Sequence, residues 1–460
     1  MTSRSQQAQP PSSQGKKNPS LNRQILALAL PAFGALIAEP LFVLGDTAIV
    51  GHLGSNQLAG LALGSNVVQT VVGLMVFLSY STTPAVARAF GAGNLKAAFT
   101  AGRNGMAAGL LTGAVLAVVG AFTATPLLRA LGAEGEILTQ ARTYLLPSLA
   151  GLPGMLLVLA AVGVLRGLQD TKTPLYVASL GAALNLGLSW LLVYPVGLGL
   201  AGSTIATAAL QWAMGLTMSA MVLAGMKKHG VGLLPERKGL VSVFSLGSWL
   251  MLRNLAMRAA LLLTVVVATR QGPENLAAYQ LMSVYFSFLA FALDSLAIAA
   301  QALLGKEMGA ADLTSQTGRA AVVRLKDSLV RWSLTFGVVT GALTPLVGFF
   351  GGWMFTSDAR VQHLFALALL VVAVGQPLAA YVFVLDGVLI GAQDARYLGL
   401  ASVVNLATYL PMLAAVHLIF RGEDAATAAF VWLVVSYVLG YMGARAITLG
   451  WRARQGVWIR

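Results

Sequence analysis

The chain has 460 residues, of which 57% are hydrophobic and only 10% charged, and its formal net charge is +14. A soluble protein carries about 25% charged residues, so this composition excludes a globular protein with a water-facing surface. Apolar segments of about 20 residues recur along the chain, and each is long enough to cross the hydrocarbon core of a bilayer. Because these segments are continuous rather than alternating, they predict an all-α integral membrane protein and not a β-barrel.

Several chemistries are excluded by residue types that are missing. The chain has no cysteine, and its four histidines lie far apart without metal-ligand spacing, so we expect no disulfide, no thiol nucleophile and no metal site. No Ser/His pairing and no phosphate-binding loop is present, which argues against an enzyme. The basic charge lacks a soluble domain that could bind nucleic acid. We therefore expect a small-molecule substrate and the lipid bilayer as partners, with no cofactor, no nucleic acid and no obligate protein partner for a monomer.

In chain order, residues 1–20 are polar and rich in Ser, Gln and Pro, which predicts a disordered cytoplasmic tail rather than a signal peptide. Twelve spanning helices follow. We place them at 24–50, 57–83, 104–124, 137–165, 174–195, 201–226, 243–268, 277–303, 331–351, 361–389, 397–420 and 425–449. They form an N-terminal lobe (21–226) and a C-terminal lobe (243–450), with a basic linker (227–242) between them and a cytoplasmic tail (451–460) after them.

The distribution of lysine and arginine predicts the orientation. With the N-terminus inside, 23 of the 30 basic residues, among them Arg103, Arg166 and Arg445, fall in cytoplasmic segments and five fall outside. Arg253 and Arg258 lie within a helix. This bias follows the positive-inside rule and alternates correctly with twelve helices. It predicts a multi-pass protein of the plasma membrane with both termini in the cytoplasm.

Three sequence matches at nearly one offset indicate an internal repeat. Residues 163–170 (GVLRGLQD) match 387–394 (GVLIGAQD), and residues 87–94 (ARAFGAGN) match 305–312 (GKEMGAAD). Asn185 and Asn405 stand at corresponding places in the helices that follow the first match. The matches predict two six-helix bundles related by a pseudo-two-fold axis along the membrane normal, an arrangement that suits alternating access.

Ionisable side chains inside a membrane are costly and usually face an interior cavity. Six occur in the predicted spans: Glu39, Asp46, Arg253, Arg258, Asp294 and Asp386. The spacing of Glu39 and Asp46 puts both on one face of the first helix. A buried carboxylate disfavours its charge, so either could bind and release a proton. The alternative is that they merely line an aqueous vestibule.

The other polar residues leave their roles open. Asn185 and Ser189 share a helix face, and with Thr207 they could hold a proton or Na⁺ near a carboxylate, or simply bond helix to helix. Asp294 and Asp386 could couple a second ion, balance a substrate charge, or pair with Arg253 or Arg258; we favour an Arg–Asp pair. Pro31 loosens the first helix and permits a kink there.

The segment Leu30-Pro31 through Glu39-Pro-Leu-Phe-Val-Leu-Gly-Asp46 to Gly54 resembles the multidrug and toxic compound extrusion (MATE) family, and its DinF-like branch in particular. Residues 300–305 and 386–394 resemble that branch as well. The resemblance covers about residues 21–450. It implies twelve helices in two bundles around a V-shaped cavity, and antiport of varied, often cationic, compounds driven by protons or sodium.

The resemblance also implies roles for individual residues. Asp46 matches the cation site of the first helix and Pro31 the kink proline, while Tyr144, Asn185 and Thr207 match cavity and ion-site positions. Some relatives carry an aspartate where this chain has Ser189, and some have a neutral amide in place of Glu39. Na⁺ is a hard cation that prefers oxygen ligands, and Ser189 lacks the carboxylate charge that would favour it, so this position favours protons over sodium. We therefore expect a proton-coupled exporter of cationic or amphipathic compounds, with export coupled to Na⁺, or export of an endogenous organic anion, as the alternatives.

Overall fold

The computed structural model describes residues 20–420 and 425–460. The predicted disordered tail lies outside these ranges except for Ser20. Within them, twelve helical segments are long and apolar enough to cross a membrane, and no strand is present. The predicted fold class and helix count are therefore confirmed.

The first six spans consist of seven helices. They are α1 (Leu21–Gly51), α2 (Ser55–Met75), α3 (Phe77–Gly91), α4 (Leu95–Ala130), α5 (Gly135–Gly167), α6 (Lys172–Val193) and α7 (Leu200–Lys228). The second span is interrupted at Val76, which lies between the end of α2 and the start of α3.

The last six spans also consist of seven helices. They are α8 (Arg237–Arg270), α9 (Pro273–Ala310), α10 (Gln316–Gly351), α11 (Ala359–Gly391), α12 (Ala395–Ile419), α13 (Ala426–Val435) and α14 (Met442–Gln455). A short 3₁₀ turn, Gly352–Met354, follows α10, and a π-helical turn, Ser436–Tyr441, joins α13 to α14 within the twelfth span.

Two helices start well before their predicted positions. Helix α4 begins at Leu95 instead of 104, and α10 begins at Gln316 instead of 331. Both early segments carry basic residues, which lower the mean hydropathy. The sequence pattern therefore predicted only the apolar part of each helix. Their starts are marked by the caps Asn94 and Ser315, whose side chains accept hydrogen bonds from backbone N–H groups of the first turn. The linker is also shorter than predicted, because the basic ends of α7 and α8 extend into it.

The two lobes share backbone features at the positions that match in the sequence repeat. Among the described residues, Gln169 (φ 68°) and Gln393 (φ 61°) are the two residues other than glycine with left-handed backbone, and they occupy the same place in the two matching segments. Asn185 donates to the Thr207 hydroxyl at 3.3 Å, and Asn405 donates to the Thr448 hydroxyl at 3.2 Å. Each asparagine thus ties the fifth span of its lobe to the sixth.

An even number of spans puts Leu21 and Gln455 on the same side of the membrane, which we call the terminal face. The lobes touch there through a reciprocal contact between α3 and α9. A Cβ added to Gly91 would overlap the carbonyl of Lys306, and one added to Gly309 would overlap the carbonyl of Arg88. Since these pairs correspond in the repeat, the contact lies at the pseudo-two-fold axis. Only glycine permits so close an approach.

Side-chain hydrogen bonds reinforce the contact near the terminal face. The Gln169 amide donates to the Ala302 carbonyl at 3.0 Å, and the Trp332 indole donates to Asn22 at 2.8 Å, in each case between lobes. The lobes are therefore closed on this side.

The segment after α14, which belongs to the cytoplasmic tail predicted at 451–460, also takes part in this contact. Helix α14 continues to Gln455, and Trp458 behind it is only 1% exposed. Arg88 of the first lobe donates to the carbonyl oxygen of Arg460, and Arg319 of the second lobe donates to that of Ile459. The segment 456–460 therefore bridges the two lobes.

Candidate functional site

A cavity of about 370 Å³ lies between the lobes, mostly against the first. Five of the residues singled out from the sequence line it: Glu39, Tyr144, Asn185, Thr207 and Asp294. They come from α1, α5, α6, α7 and α9, so the fold gathers residues that are distant in sequence around one space. Apolar side chains, including Met155 and Met214, form much of the remaining wall.

Asp46 lies behind the wall of this cavity rather than in it. Its side chain is 5% exposed, and its Oδ1 accepts a hydrogen bond of 2.5 Å from the hydroxyl of Ser203 on α7. Ser203 is itself fully buried. A carboxylate enclosed in this way depends on its few partners for stabilisation, because water does not solvate its charge.

Next to this pair, three side chains form a hydrogen-bonded chain. Ser189 donates to the Asn185 carbonyl oxygen at 3.0 Å, and Asn185 donates to Thr207 at 3.3 Å. Thr207 donates in turn to the backbone carbonyl of Ser203 at 3.1 Å, which connects the chain to the partner of Asp46. The structure thus brings Asp46, Asn185, Ser189 and Thr207 into one polar cluster.

Ser203 was missed by the sequence analysis. It precedes Thr207 by one helical turn and therefore shares its face, which is the signal that could have found it. A serine one turn from a candidate site residue is too common in membrane helices to stand out without the position of Asp46.

Glu39 and Asp46 share helix α1 but not their surroundings. Glu39 is exposed in the cavity and has no hydrogen bond or ion pair with any residue in the described ranges. Asp46 is enclosed against α7. Two carboxylates on one helix can thus serve different purposes, one facing the cavity contents and the other sealed in the bundle.

Pro31 lies inside α1, which continues as an α-helix from Leu21 to Gly51 through both Pro31 and Pro40. Each proline removes one backbone hydrogen bond from the helix. The predicted bending at Pro31 remains a prediction.

A second cavity, of about 340 Å³, lies against the second lobe and is lined by Arg253, Arg258, Asp386 and Arg445. Arg253 forms an ion pair of 2.7 Å with Asp386, and Arg445 pairs with the same carboxylate. All three side chains are at most 8% exposed. They form a buried Arg–Asp–Arg triad between α8, α11 and α14.

The triad settles which arginine pairs with which carboxylate and corrects the assignment of Arg445. Arg445 was predicted to be cytoplasmic because it lies close to the predicted end of the last span at 449. The span instead continues to Gln455, which leaves Arg445 deep in the bundle. Arg166 was counted in the same way, but it lines the first cavity.

Replacing Asp386 with asparagine should lower the free energy of unfolding by about 3–5 kcal/mol, because two buried guanidinium groups lose their counter-charge. The midpoint of thermal unfolding in detergent measures this loss. Asp327→Asn is the matched control, since Asp327 is 55% exposed at its ion pair with Lys326. Equal midpoints for the two variants would contradict a stabilising role for the triad.

The chain is similar in sequence to a known protein family. The MatE family model matches residues 31–191 and 250–416 of the chain. DNA damage-inducible protein F of Escherichia coli is 28% identical over 95% of this chain and 94% of its own length. Protein DETOXIFICATION 43 of Arabidopsis thaliana is 28% identical over 93% and 89%, and the probable multidrug resistance protein NorM of Thermotoga maritima is 26% identical over 81% and 80%.

Solved structures share the fold. The Vibrio cholerae MATE transporter VcmN in its bent form superposes with a TM-score of 0.83 at 21% identity, covering 95% of this chain and 98% of that one. A MOP superfamily transporter from Pyrococcus furiosus gives 0.82 at 20% identity, covering 95% and 96%. The two-lobed arrangement of twelve spans is common to them.

Proposed function

The chain belongs to the MatE family of multidrug efflux transporters, and from this premise we propose that it exports small amphipathic organic compounds in exchange for protons by alternating access. The observation that carries the proposal is the enclosed Asp46–Ser203 pair beside a cavity between two lobes. A single carboxylate sealed in the first lobe can change its charge without contacting the substrate.

The surroundings of Asp46 support protons over sodium. In the polar cluster of Asp46, Ser203, Asn185, Ser189 and Thr207, Asp46 is the one carboxylate, and Ser189 already donates to Asn185. A hard cation such as Na⁺ favours several free oxygen ligands. A proton needs only the carboxylate, with the Ser203 hydroxyl turning from donor to acceptor when Asp46 becomes protonated.

We propose the following cycle. With the lobes closed at the terminal face, the cavity faces the outside, and Asp46 takes up a proton from there. The loss of charge changes the hydrogen bond to Ser203 and allows α1 to bend at Pro31, which narrows the cavity and expels the substrate. The lobes then open at the terminal face, Asp46 releases its proton, and a new substrate enters.

In this proposal the terminal face is cytoplasmic, and the protein works as a single chain in the plasma membrane. The basic residues predicted for the cytoplasmic side support the orientation. Arg88, Lys96 and Arg319, for example, lie at the ends of helices α3, α4 and α10 on the terminal face.

The coupling ion can be tested with purified protein in liposomes. Proton and sodium gradients are imposed separately, and export of a fluorescent amphipathic cation is followed. We expect export with a proton gradient at equal sodium, and none with a sodium gradient at clamped pH and membrane potential. Export driven by sodium alone would refute proton coupling while leaving the transporter assignment intact.

A further inference from the structure

Among the described residues, two exposed charged groups of opposite sign face the cleft, one from each lobe. Glu39 of α1 lines the first cavity, and Arg258 of α8 lines the second. Both side chains are exposed, and neither forms a hydrogen bond or ion pair with any residue in the described ranges. Every other arginine lining the second cavity is bound in the triad with Asp386. Arg258 therefore has a free guanidinium group.

Arg258 lies deep in the membrane, where an unpaired positive charge is costly. Its Nη2 atom is 3.8 Å from the point where a Cβ on Gly73 would lie, and Gly73 is midway along the second span, Ser55–Gly91. The guanidinium group thus reaches across the cleft to the opposite lobe at about half the membrane depth. An arginine at this depth is costly unless it has an anionic partner.

The two cavities form one cleft. Both cavities are lined by Val76, Tyr80 and Asp294, so these residues lie where the two cavities meet. The first-lobe side carries the exposed Glu39, and the second-lobe side carries the exposed Arg258. The half-buried Arg166 and Asp294 add one charge of each sign to the first cavity. The first cavity is also lined by apolar side chains such as Val72 and the flexible Met155, which suit an aromatic or aliphatic scaffold.

We propose that the cleft prefers amphipathic zwitterions, with the anionic group of the substrate bound by Arg258 and its cationic group held near Glu39. This proposal rests on the proposed export function and names the substrate class for the same cleft. An arginine can bind a carboxylate through two parallel hydrogen bonds, which adds specificity as well as affinity. The fixed Arg253–Asp386–Arg445 triad holds α8 in place, so that Arg258 presents its guanidinium group to the cleft.

The test compares two dyes with one scaffold. Rhodamine 110 carries a free carboxylate and is a zwitterion, whereas rhodamine 123 is its methyl ester and a cation. Efflux efficiency of each dye is measured in proton-loaded liposomes, and binding is measured separately by fluorescence anisotropy in detergent. The variants are Arg258→Gln, Arg258→Lys and, as a matched control, Arg270→Gln at the exposed end of the same helix.

We expect wild type to prefer rhodamine 110. Arg258→Gln should reduce the ratio of rhodamine 110 to rhodamine 123, in both efflux and binding, by about tenfold, the effect of losing one charge-assisted contact. Rhodamine 123 should change little, Arg258→Lys should retain part of the preference, and Arg270→Gln should behave as wild type.

Different results overturn different statements. If wild type transports neither dye, the export proposal fails. If it exports rhodamine 123 without preferring rhodamine 110, or if Arg258→Gln impairs both dyes equally, the zwitterion proposal fails while export stands. Fluorescein, an anion on the same ring system, should be a poor substrate. Its efficient export through Arg258 would replace zwitterions with anions and refute the proposal.

Discussion

Asp46→Asn is expected to abolish proton-driven efflux while leaving the protein folded. The asparagine fills the same space and can still accept the hydrogen bond from Ser203, which is 2.5 Å long in the native chain. It cannot gain or lose a proton, so the charge change that drives the proposed cycle is removed. The rate of dye export from liposomes with an imposed proton gradient should fall to that of protein-free liposomes.

The control for this variant is Asp327→Asn, which removes an exposed carboxylate that lines neither cavity and should transport as wild type. Dye binding to Asp46→Asn should persist, because Asp46 does not line the cavity. Efflux by Asp46→Asn at the wild-type rate would show that another group, with Glu39 the first candidate, couples the proton.

Glu39→Gln distinguishes the two carboxylates of α1. Glu39 faces the cavity and has no partner among residues 20–420 and 425–460. Its loss should therefore weaken binding of cationic dyes more than it weakens coupling. Measured as apparent affinity and maximal rate, the effect should fall mainly on affinity. A loss of maximal rate as complete as that of Asp46→Asn would instead assign Glu39 to the coupling step.

Features that follow from hydropathy and repetition were predictable from the sequence. Twelve spans and two related bundles follow from apolar length and three matched segments. In the structure the next-to-last residue of each glycine-rich segment, Gln169 or Gln393, has the same left-handed backbone. Asn185 and Thr207 were found as polar residues within apolar helices, whereas Tyr144 was found only through the family resemblance. Such signals depend only on local sequence, so they can be read without knowing how the helices pack.

Features that depend on packing between distant spans were not predictable. Ser203 matters only because α7 places it against Asp46, and Arg445 only because α14 brings it to Asp386, 59 residues away. The terminal contact likewise requires two glycines from different lobes. None of these residues stands out in the sequence of its own helix, because its role depends on the residue that it contacts on another helix.

Gly309→Leu is expected to open the terminal face and to stop transport. Any side chain at Gly309 would overlap the backbone carbonyl of Arg88 in the other lobe, and a backbone atom cannot turn away as a side chain can. Overpacking of this kind costs about 1–3 kcal/mol. Since 1.4 kcal/mol changes an equilibrium tenfold, the ratio of closed to open terminal face should fall by about tenfold. Gly91→Leu should act in the same way, because its overlap with Lys306 is the symmetric contact.

The distance between the lobes measures this change directly. The chain has no cysteine, so Lys96→Cys on α4 and Thr317→Cys on α10, both exposed near the terminal face, give one labelling site in each lobe. Spin-label distances across the face should lengthen in Gly309→Leu and stay unchanged in Gly187→Leu, a helical glycine whose Cβ would meet open space. A monodisperse elution profile with wild-type helicity excludes misfolding. Unchanged distances with normal efflux would show that the α3–α9 contact is not the gate, because the closed state would then tolerate a side chain where the reciprocal glycines meet.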